Sequence, residues 1–276
     1  MANVKNLFIQ FWKSKDEKVA IIRDICIALL AVFIVLLLLW GYTGQWFSAP
    51  MVAIESGSME HPDPPFGRLG TIDAGDMVLV KRVYILDDII VHGSEYGGAQ
   101  ATNDKRFFTY GSWGDVIIFK PMGRDDVSQI IHRAMCWVDV HEFDGVYYYT
   151  IEEYGIFNQS VLHIPELGLN NHRPIWTHSG YLTKGDNNAV IDQISQICPQ
   201  PVQFEWVTGK ARGLIPWLGV INLLFEDVLH GKQTRHNVHT DSWIMLGVVI
   251  VVLVSIPVSF DVYDYLKEKK KQQKNI

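Results

Sequence analysis

Two long apolar runs lie near the two ends of this 276-residue chain. The first has no charged residue over residues 25–40 and continues to Gly44, and the second is uncharged over residues 242–260. About 20 helical residues, at a rise of 1.5 Å each, span the roughly 30 Å hydrocarbon core of a bilayer. The pattern therefore predicts two transmembrane helices, residues 25–44 and 242–260.

Each run has a competing interpretation. The first could be a cleaved signal peptide, but more than 20 residues precede it, and it ends in aromatic residues rather than at a small-residue cleavage site. Trp40, Tyr42, Trp46 and Phe47 are typical of a membrane interface, which favours an uncleaved anchor. The second could be a buried core helix, but a basic segment at residues 267–271 follows it and favours a membrane span.

The distribution of basic residues predicts which side of the membrane each segment occupies. Five Lys or Arg precede the first run and five follow the second. Because cytoplasmic flanks carry an excess of Lys and Arg, residues 1–24 and the tail 261–276 are predicted to be cytoplasmic. Residues 47–241 then form one domain outside the cytoplasm, and the protein resides in the cell membrane with two spans.

The segment between the runs has the pattern of β-strands. Short stretches rich in β-branched and aromatic residues lie at residues 77–80, 116–119, 129–140, 146–151 and 204–210. No long segment with a 3.6-residue period is apparent there, so a mainly β domain is predicted. Residues 84–112, which are rich in glycine, indicate an insertion between two strands.

Charge and cysteine content narrow the classes of function. Residues 47–241 hold 14 of the 24 Lys and Arg and 24 of the 30 Asp and Glu, a net charge of about −10. Such an acidic domain repels phosphate, so nucleic acid is not an expected partner, whereas the lipid bilayer is. Cys136 and Cys198 either form a disulfide or are two free buried thiols, and Cys26 lies in the first run.

Three separate segments offer the parts of a serine-nucleophile site. Ser58 lies in a small-residue turn shortly after the first run, His132 lies in the strand 129–140, and Asp186 and Asp192 lie in a polar segment. A serine needs a base within hydrogen-bond reach and a third group that orients the base. Each residue also has an ordinary interpretation, as a turn serine, a core histidine with a carbonyl partner, and an Asx turn.

Taken together and in order, these segments resemble the type I signal peptidases of archaea and of the endoplasmic reticulum. The resemblance rests on Ser56-Gly57-Ser58-Met59-Glu60, Gly75-Asp76-Met77-Val78-Leu79-Val80, residues 114–121, Ile131-His132-Arg133, residues 183–192 and residues 209–216. His61 and the prolines after it depart from the family pattern, as does the long insertion.

The resemblance implies a membrane-bound serine endopeptidase that removes signal peptides from secretory preproteins after small residues at −1 and −3. It implies a β-rich domain with Ser58 as nucleophile, His132 as general base and acid, and Asp192 as the residue that orients the histidine. Asp186 is then structural or a secondary contributor, and Ser56 and the Ser58 N–H bind the oxyanion. Preproteins and the secretion translocon are the implied partners, with neither a cofactor nor a metal.

Three alternative functions stay open from the sequence. Lys81 or Lys120 could act as the base of a Ser/Lys protease, and a strongly alkaline activity optimum would favour that mechanism. The chain could instead be a catalytically silent membrane-anchored binding domain with the same fold. A metal site could also be built from the juxtamembrane histidines His230, His236 and His239.

Overall fold

The computed structural model describes residues 10–14, 16–61, 70–93, 107–231 and 233–274. The chain divides into two compact units, Met1–Pro50 and Met51–Ile276. Parts of four predicted segments therefore lie outside the described residues: residues 1–9 and 15 of the N-terminal segment, the prolines after His61, residues 94–106 of the insertion, and residues 275–276 of the tail.

The first unit contains one long helix, α1, over Glu17–Thr43. It begins where the Asp16 side chain accepts a hydrogen bond from the Lys18 N–H, and it ends at Gly44, whose φ of 71° only glycine adopts without strain. The helix starts eight residues before the predicted span because charged side chains do not interrupt helical backbone bonding. It is long and apolar enough to cross a membrane.

The second unit is built on an antiparallel sheet, as the strand pattern predicts. Its strands are β1 Met51–Ala53, β2 Met77–Lys81, β3 Phe108–Thr109, β4 Ser112–Trp113, β5 Val116–Phe119, β6 Ile130–Phe143, β7 Val146–Ile151, β8 Ile156–Gln159, β9 Leu162–Ile164, β10 Leu169–His172, β11 Gly180–Lys184 and β12 Val207–Ile215. Eight strands form one sheet in the order β1-β2-β12-β5-β6-β7-β8, with β11 also paired to β6. The pairs β9–β10 and β3–β4 are separate hairpins.

Strand β5 lies in the middle of the sheet and is covered on both faces. Its four side chains are all buried. Val116 and Ile118 pack into a cluster with Val78 and Val80, whereas Ile117 and Phe119 pack with residues of a second cluster. This is the packing expected of a short, continuously apolar strand, because successive side chains point to opposite faces.

Strand β6 links two parts of the domain. Residues 130–133 pair with β5, residues 133–138 pair with β11, and residues 139–143 pair with β7. Beyond β5, a third apolar cluster forms around Cys136, Val138, Tyr149 and Leu162. Cys136 and Cys198 are both buried and unbonded to each other, so the free-thiol alternative is the one observed.

The described residues of the second unit also form three α-helices: α2 Asp192–Ser195, α3 Gly219–His230 and α4 Thr240–Lys274. Helix α3, of 12 residues, is an element that the strand pattern did not predict. It packs Val220 and Leu223 into the fold, against Val238 and Leu246. Helix α4 exceeds the predicted span 242–260 at both ends and is also long and apolar enough to cross a membrane.

Candidate active site

Ser58 lies on a tight turn between β1 and β2. The next side chain, Met59, is 1% exposed and packs with Ile54 and Ile72 in the apolar cluster under β2. The Glu60 N–H donates to the Gly57 carbonyl at 3.2 Å and closes the turn. Burial of Met59 therefore anchors the turn and leaves Ser58 at the surface of the core, half-buried.

His132, from the first half of β6, faces this serine. Its Nε2 lies 2.9 Å from Ser58 Oγ, although the two residues are 74 positions apart in the chain. The imidazole is almost entirely buried. A buried imidazole needs polar partners, and His132 has them on both nitrogens: Ser58 on one side and Asp192 on the other.

Asp192 is the first residue of α2 and lies behind the histidine. Its Oδ2 is 2.7 Å from His132 Nδ1 and accepts a second hydrogen bond, also 2.7 Å, from the Thr183 hydroxyl. Asp192 has no solvent exposure. A carboxylate at Nδ1 keeps the proton on that nitrogen, so Nε2 is left to accept the proton of Ser58.

The loop after β11 packs directly on residues 55–60, which carry Ser58 and which we call the nucleophile turn. The Asn187 N–H donates to the Ser58 carbonyl at 2.9 Å, and Asn187 Nδ2 donates to the Gly57 carbonyl at 3.0 Å. A Cβ at Gly185 would lie 2.6 Å from the Ser58 carbonyl oxygen and 2.9 Å from His132 Nε2. Only glycine fits between the serine and the histidine at this point.

Asp186 points away from the serine and binds Arg133. Arg133 Nε donates to Oδ1 at 2.8 Å and Nη2 to Oδ2 at 2.5 Å, and the arginine is 1% exposed. Arg133 Nη1 also donates to the Gly114 carbonyl at 2.8 Å. His61 Nε2 lies 3.0 Å from Asp186 Oδ2, so this histidine contacts a carboxylate that is bound to arginine.

Ser56 is exposed, and its hydroxyl lies 3.3 Å from Ser58 Oγ. Either hydroxyl can be the donor in that contact. The separation brings a second O–H group beside the nucleophile, on the side of the turn that faces solvent.

A buried carboxyl, Asp76, supports the turn from below. The backbone carbonyl of Asp76 accepts a hydrogen bond from the Ile54 N–H at 3.0 Å. Its side chain accepts hydrogen bonds from the Trp217 and Asp73 N–H groups at 2.9 and 3.1 Å. Burial raises the pKa of Asp76 to about 6; the two N–H donors oppose that rise, and the nearby charge of Glu60 adds to it.

The residues of the alternative sites have other partners. Lys120 Nζ lies 2.5 Å from Asp125, and Lys81 is exposed at the end of β2. His230 lies 3.2 Å from Glu226, and His239 lies 3.0 Å from Glu60. In the parts of the chain that the structure describes, no group of three or more His, Cys, Asp or Glu could hold a metal ion.

Sequence reasoning missed the supporting contacts of the site: the Thr183 hydroxyl, the space at Gly185, the Asn187 amide and the buried guanidinium of Arg133. All four residues lie inside the segments 131–133 and 183–192, which contain the predicted site residues His132, Asp186 and Asp192. Their closeness in sequence to those residues is the one signal that could have revealed them. No family model matches the chain. The chemical capacity of the site is therefore argued from its geometry, a hydroxyl, an imidazole and a carboxylate hydrogen-bonded in series.

Proposed function

We propose that this chain is a membrane-anchored serine endopeptidase that removes N-terminal signal peptides from secretory preproteins. One observation carries the proposal: Ser58 Oγ, His132 and Asp192 are joined by contacts of 2.9 and 2.7 Å in a buried setting. This is the arrangement that a serine nucleophile requires. The two apolar helices and the resemblance to type I signal peptidases support the choice of substrate.

In the first half of the proposed reaction, Ser58 Oγ attacks the carbonyl carbon of the scissile peptide bond, and His132 Nε2 takes the hydroxyl proton. Asp192 stabilises the imidazolium that forms. The tetrahedral intermediate then collapses, the C–N bond breaks, and Nε2 gives the proton to the departing amine. That amine is the new N-terminus of the mature protein, and the signal peptide stays on Ser58 as an ester.

In the second half, water attacks the ester carbonyl carbon while His132 Nε2 accepts a proton from it. The ester C–O bond breaks, the proton returns to Ser58 Oγ, and the signal peptide leaves with a new carboxyl terminus. Both steps pass through a tetrahedral oxyanion, which needs donors held in advance. We assign that role to the Ser58 N–H and the Ser56 hydroxyl; the 3.3 Å separation of the two hydroxyls supports the second.

The proposed topology follows from the basic flanks of the apolar runs. Both termini lie in the cytoplasm, and residues 47–241 lie on the opposite side, where signal peptides emerge. Small pockets then admit Ala, Gly or Ser at positions −1 and −3 of the preprotein. Tags at both termini should be protected in right-side-out vesicles, whereas an added protease should reach residues 47–241.

The decisive test uses the detergent-solubilised full chain and a preprotein with Ala at −1 and −3. We expect cleavage after the −1 residue, identified by sequencing the new N-terminus, and complete loss of cleavage in Ser58→Ala. Replacing the −1 Ala of the substrate by a bulky residue should also prevent cleavage. Failure of a serine-directed fluorophosphonate to label wild type would instead favour a silent binding domain.

A matched pair of lysine variants tests the Ser/Lys alternative. Lys81→Met and Lys120→Met should each cleave at the wild-type rate, because His132 serves as the base. Loss of cleavage in either variant, with folding intact, would contradict the assignment of His132.

A further inference from the structure

The segment that leads into α4, residues 233–239, runs beside the nucleophile turn; we call it the α4 linker. The Val238 side chain is 8% exposed and packs with Val220 and Leu246. A Cβ at Gly75 would lie only 3.1 Å from Val238 Cγ1, so the linker is packed tightly against the loop before β2. The residues on either side of Val238 reach the nucleophile turn.

These two residues bind the turn before and after Ser58. Asn237 Nδ2 donates to the Glu55 carbonyl at 2.8 Å. His239 Nε2 lies 3.0 Å from both carboxylate oxygens of Glu60. An ionised carboxylate can only accept, so Nε2 carries the proton and donates. The contacts join segments 182 and 179 residues apart in sequence.

The Glu60 carboxylate is the point at which the linker acts on the serine. A Cβ at Gly57 would lie 2.8 Å from Glu60 Cδ, so the carboxylate rests directly on the residue that precedes Ser58. The Ala74 N–H also approaches Glu60 Oε1 at 3.5 Å. A shift of Glu60 is therefore transmitted to Gly57, and from there to Ser58 through one peptide bond.

We propose that His239 and Asn237 are positioning residues for the hydrolysis proposed above, on which this inference rests. They hold the nucleophile turn between the α4 linker and the loop after β11, so the second apolar helix supports the active site as well as anchoring the chain. Neither residue touches the reacting atoms. Their effect is on the placement of Ser58 Oγ relative to His132 and to the substrate carbonyl.

A positioning role predicts a specific kinetic signature. Misplacement of a catalytic group by about 1 Å costs up to roughly 100-fold in rate, with little effect on substrate binding. We expect His239→Ala to lower kcat by about 10- to 100-fold while KM changes by less than about twofold. Labelling of Ser58 by a fluorophosphonate should slow in parallel, because that reaction needs the same nucleophile placement without a signal peptide.

Conservative and matched variants separate positioning from general stability. In His239→Gln the side-chain amide can still donate to Glu60, so kcat should return to within about threefold of wild type. Asn237→Ala removes a single neutral hydrogen bond and should lower kcat by about threefold to tenfold with the fold intact. The control is His230→Ala, which removes an exposed histidine–glutamate contact on α3 and should leave kcat unchanged.

The outcomes distinguish this inference from the proposed function. If the wild-type chain cleaves the preprotein, and His239→Ala and Asn237→Ala both keep its kcat and its labelling rate, the positioning role alone is overturned. A loss of kcat that His239→Gln does not rescue, or one that His230→Ala reproduces, would also overturn it. A wild-type chain that neither cleaves the preprotein nor reacts with the probe would overturn both.

Discussion

Two consecutive residues of β6, a histidine and an arginine, each pair with an aspartate. The two pairs lie on opposite faces of the sheet. His132 binds Asp192 on the side of the serine, and Arg133 binds Asp186 on the side of the β3–β4 hairpin. Both aspartates follow β11: Asp186 lies in the loop after the strand, and Asp192 is the first residue of α2. In both pairs a buried side chain of β6 contacts an aspartate through nitrogen, but the other partners of the two side chains differ.

The difference lies in which protons can move. Arg133 donates hydrogen bonds to Asp186 and to backbone carbonyls, so this pair, which we call the Arg133–Asp186 clamp, holds its segments together. An imidazole can gain and lose a proton near neutral pH, and His132 joins a hydroxyl to a carboxylate. Burial of an aspartate against a basic side chain is therefore not by itself a sign of catalysis. Under the proposed function, the distinguishing feature is that His132 also contacts a hydroxyl, that of Ser58.

Exchanging each carboxylate for an amide should separate the roles of the two pairs most clearly. Asp192→Asn should lower kcat by about 10⁴-fold, because an amide no longer holds the proton on His132 Nδ1. The same change at the clamp, Asp186→Asn, should act mainly on stability. Measurement of kcat/KM and thermal midpoints for both variants tests this. Equal losses of kcat/KM in the two variants, with equal thermal midpoints, would contradict the different roles of Asp192 and Asp186.

The Arg133–Asp186 pair should contribute more to the free energy of unfolding than the His132–Asp192 pair does. Arg133→Met leaves Asp186 buried without its cation, and we expect destabilisation by about 3–5 kcal/mol. Arg133→Lys should recover only part of this, because an ammonium cannot reproduce the two-pronged contact. Urea denaturation of the solubilised protein measures the effect. Arg124→Met is the control, since its pair with Asp126 is exposed on the surface; a similar loss in both variants would argue against the clamp.

Asp76 differs from both aspartates because backbone N–H groups, not a basic side chain, bind its buried carboxyl group. Its pKa of about 6 exceeds the ordinary 3.8, so the folded state binds more protons than the unfolded state between these values. Stability should therefore fall by about 3 kcal/mol as pH rises from about 4 to about 6, and level off above that. Asp76→Asn should remove this slope in urea midpoints measured across the range. An unchanged slope would assign the pH dependence to other groups.

Gly185 directly precedes Asp186 and packs against Ser58 and His132, and its replacement should have the smallest of these effects. In Gly185→Ala the new methyl group would overlap the Ser58 carbonyl and His132 Nε2 and displace one of them, so kcat should fall by about 100-fold. Pre-steady-state acylation rates would measure this directly. Gly247→Ala on α4, where no atom lies within 4 Å, is the matched control and should match wild type.

Much of the sheet could be predicted from local pattern. The strands over residues 116–119 and 146–151 have the predicted bounds, because short β-branched runs ended by turn residues carry their own signal. Helix α3 could not be found in this way. Its apolar and polar residues do follow a helical period, but the segment has only 12 residues, and its apolar face is only partly buried, with Val220 and Leu223 buried and Phe225 and Val228 exposed.

The main residues of the candidate site could be predicted from the sequence, but most of the contacts between them could not. Ser58, His132 and Asp192 belong to residue types whose chemistry suggests them, and the structure brings these three together. The sequence predicts either a structural or a secondary role for Asp186, and in the structure this side chain pairs with Arg133. The Thr183 hydroxyl and the His239–Glu60 contact depend on which way side chains turn across long sequence separations. Local pattern carries no information about that.

The order of the site residues along the chain has a consequence for biosynthesis. The hydroxyl comes from position 58, the imidazole from position 132 and the carboxylate from position 192, and the α4 linker follows last. A ribosome that has made only the first half of the protein has therefore produced a serine without its orienting acid. Under the proposed function, a nascent or truncated enzyme is inert in the membrane, and proteolytic competence begins only when the chain is nearly finished.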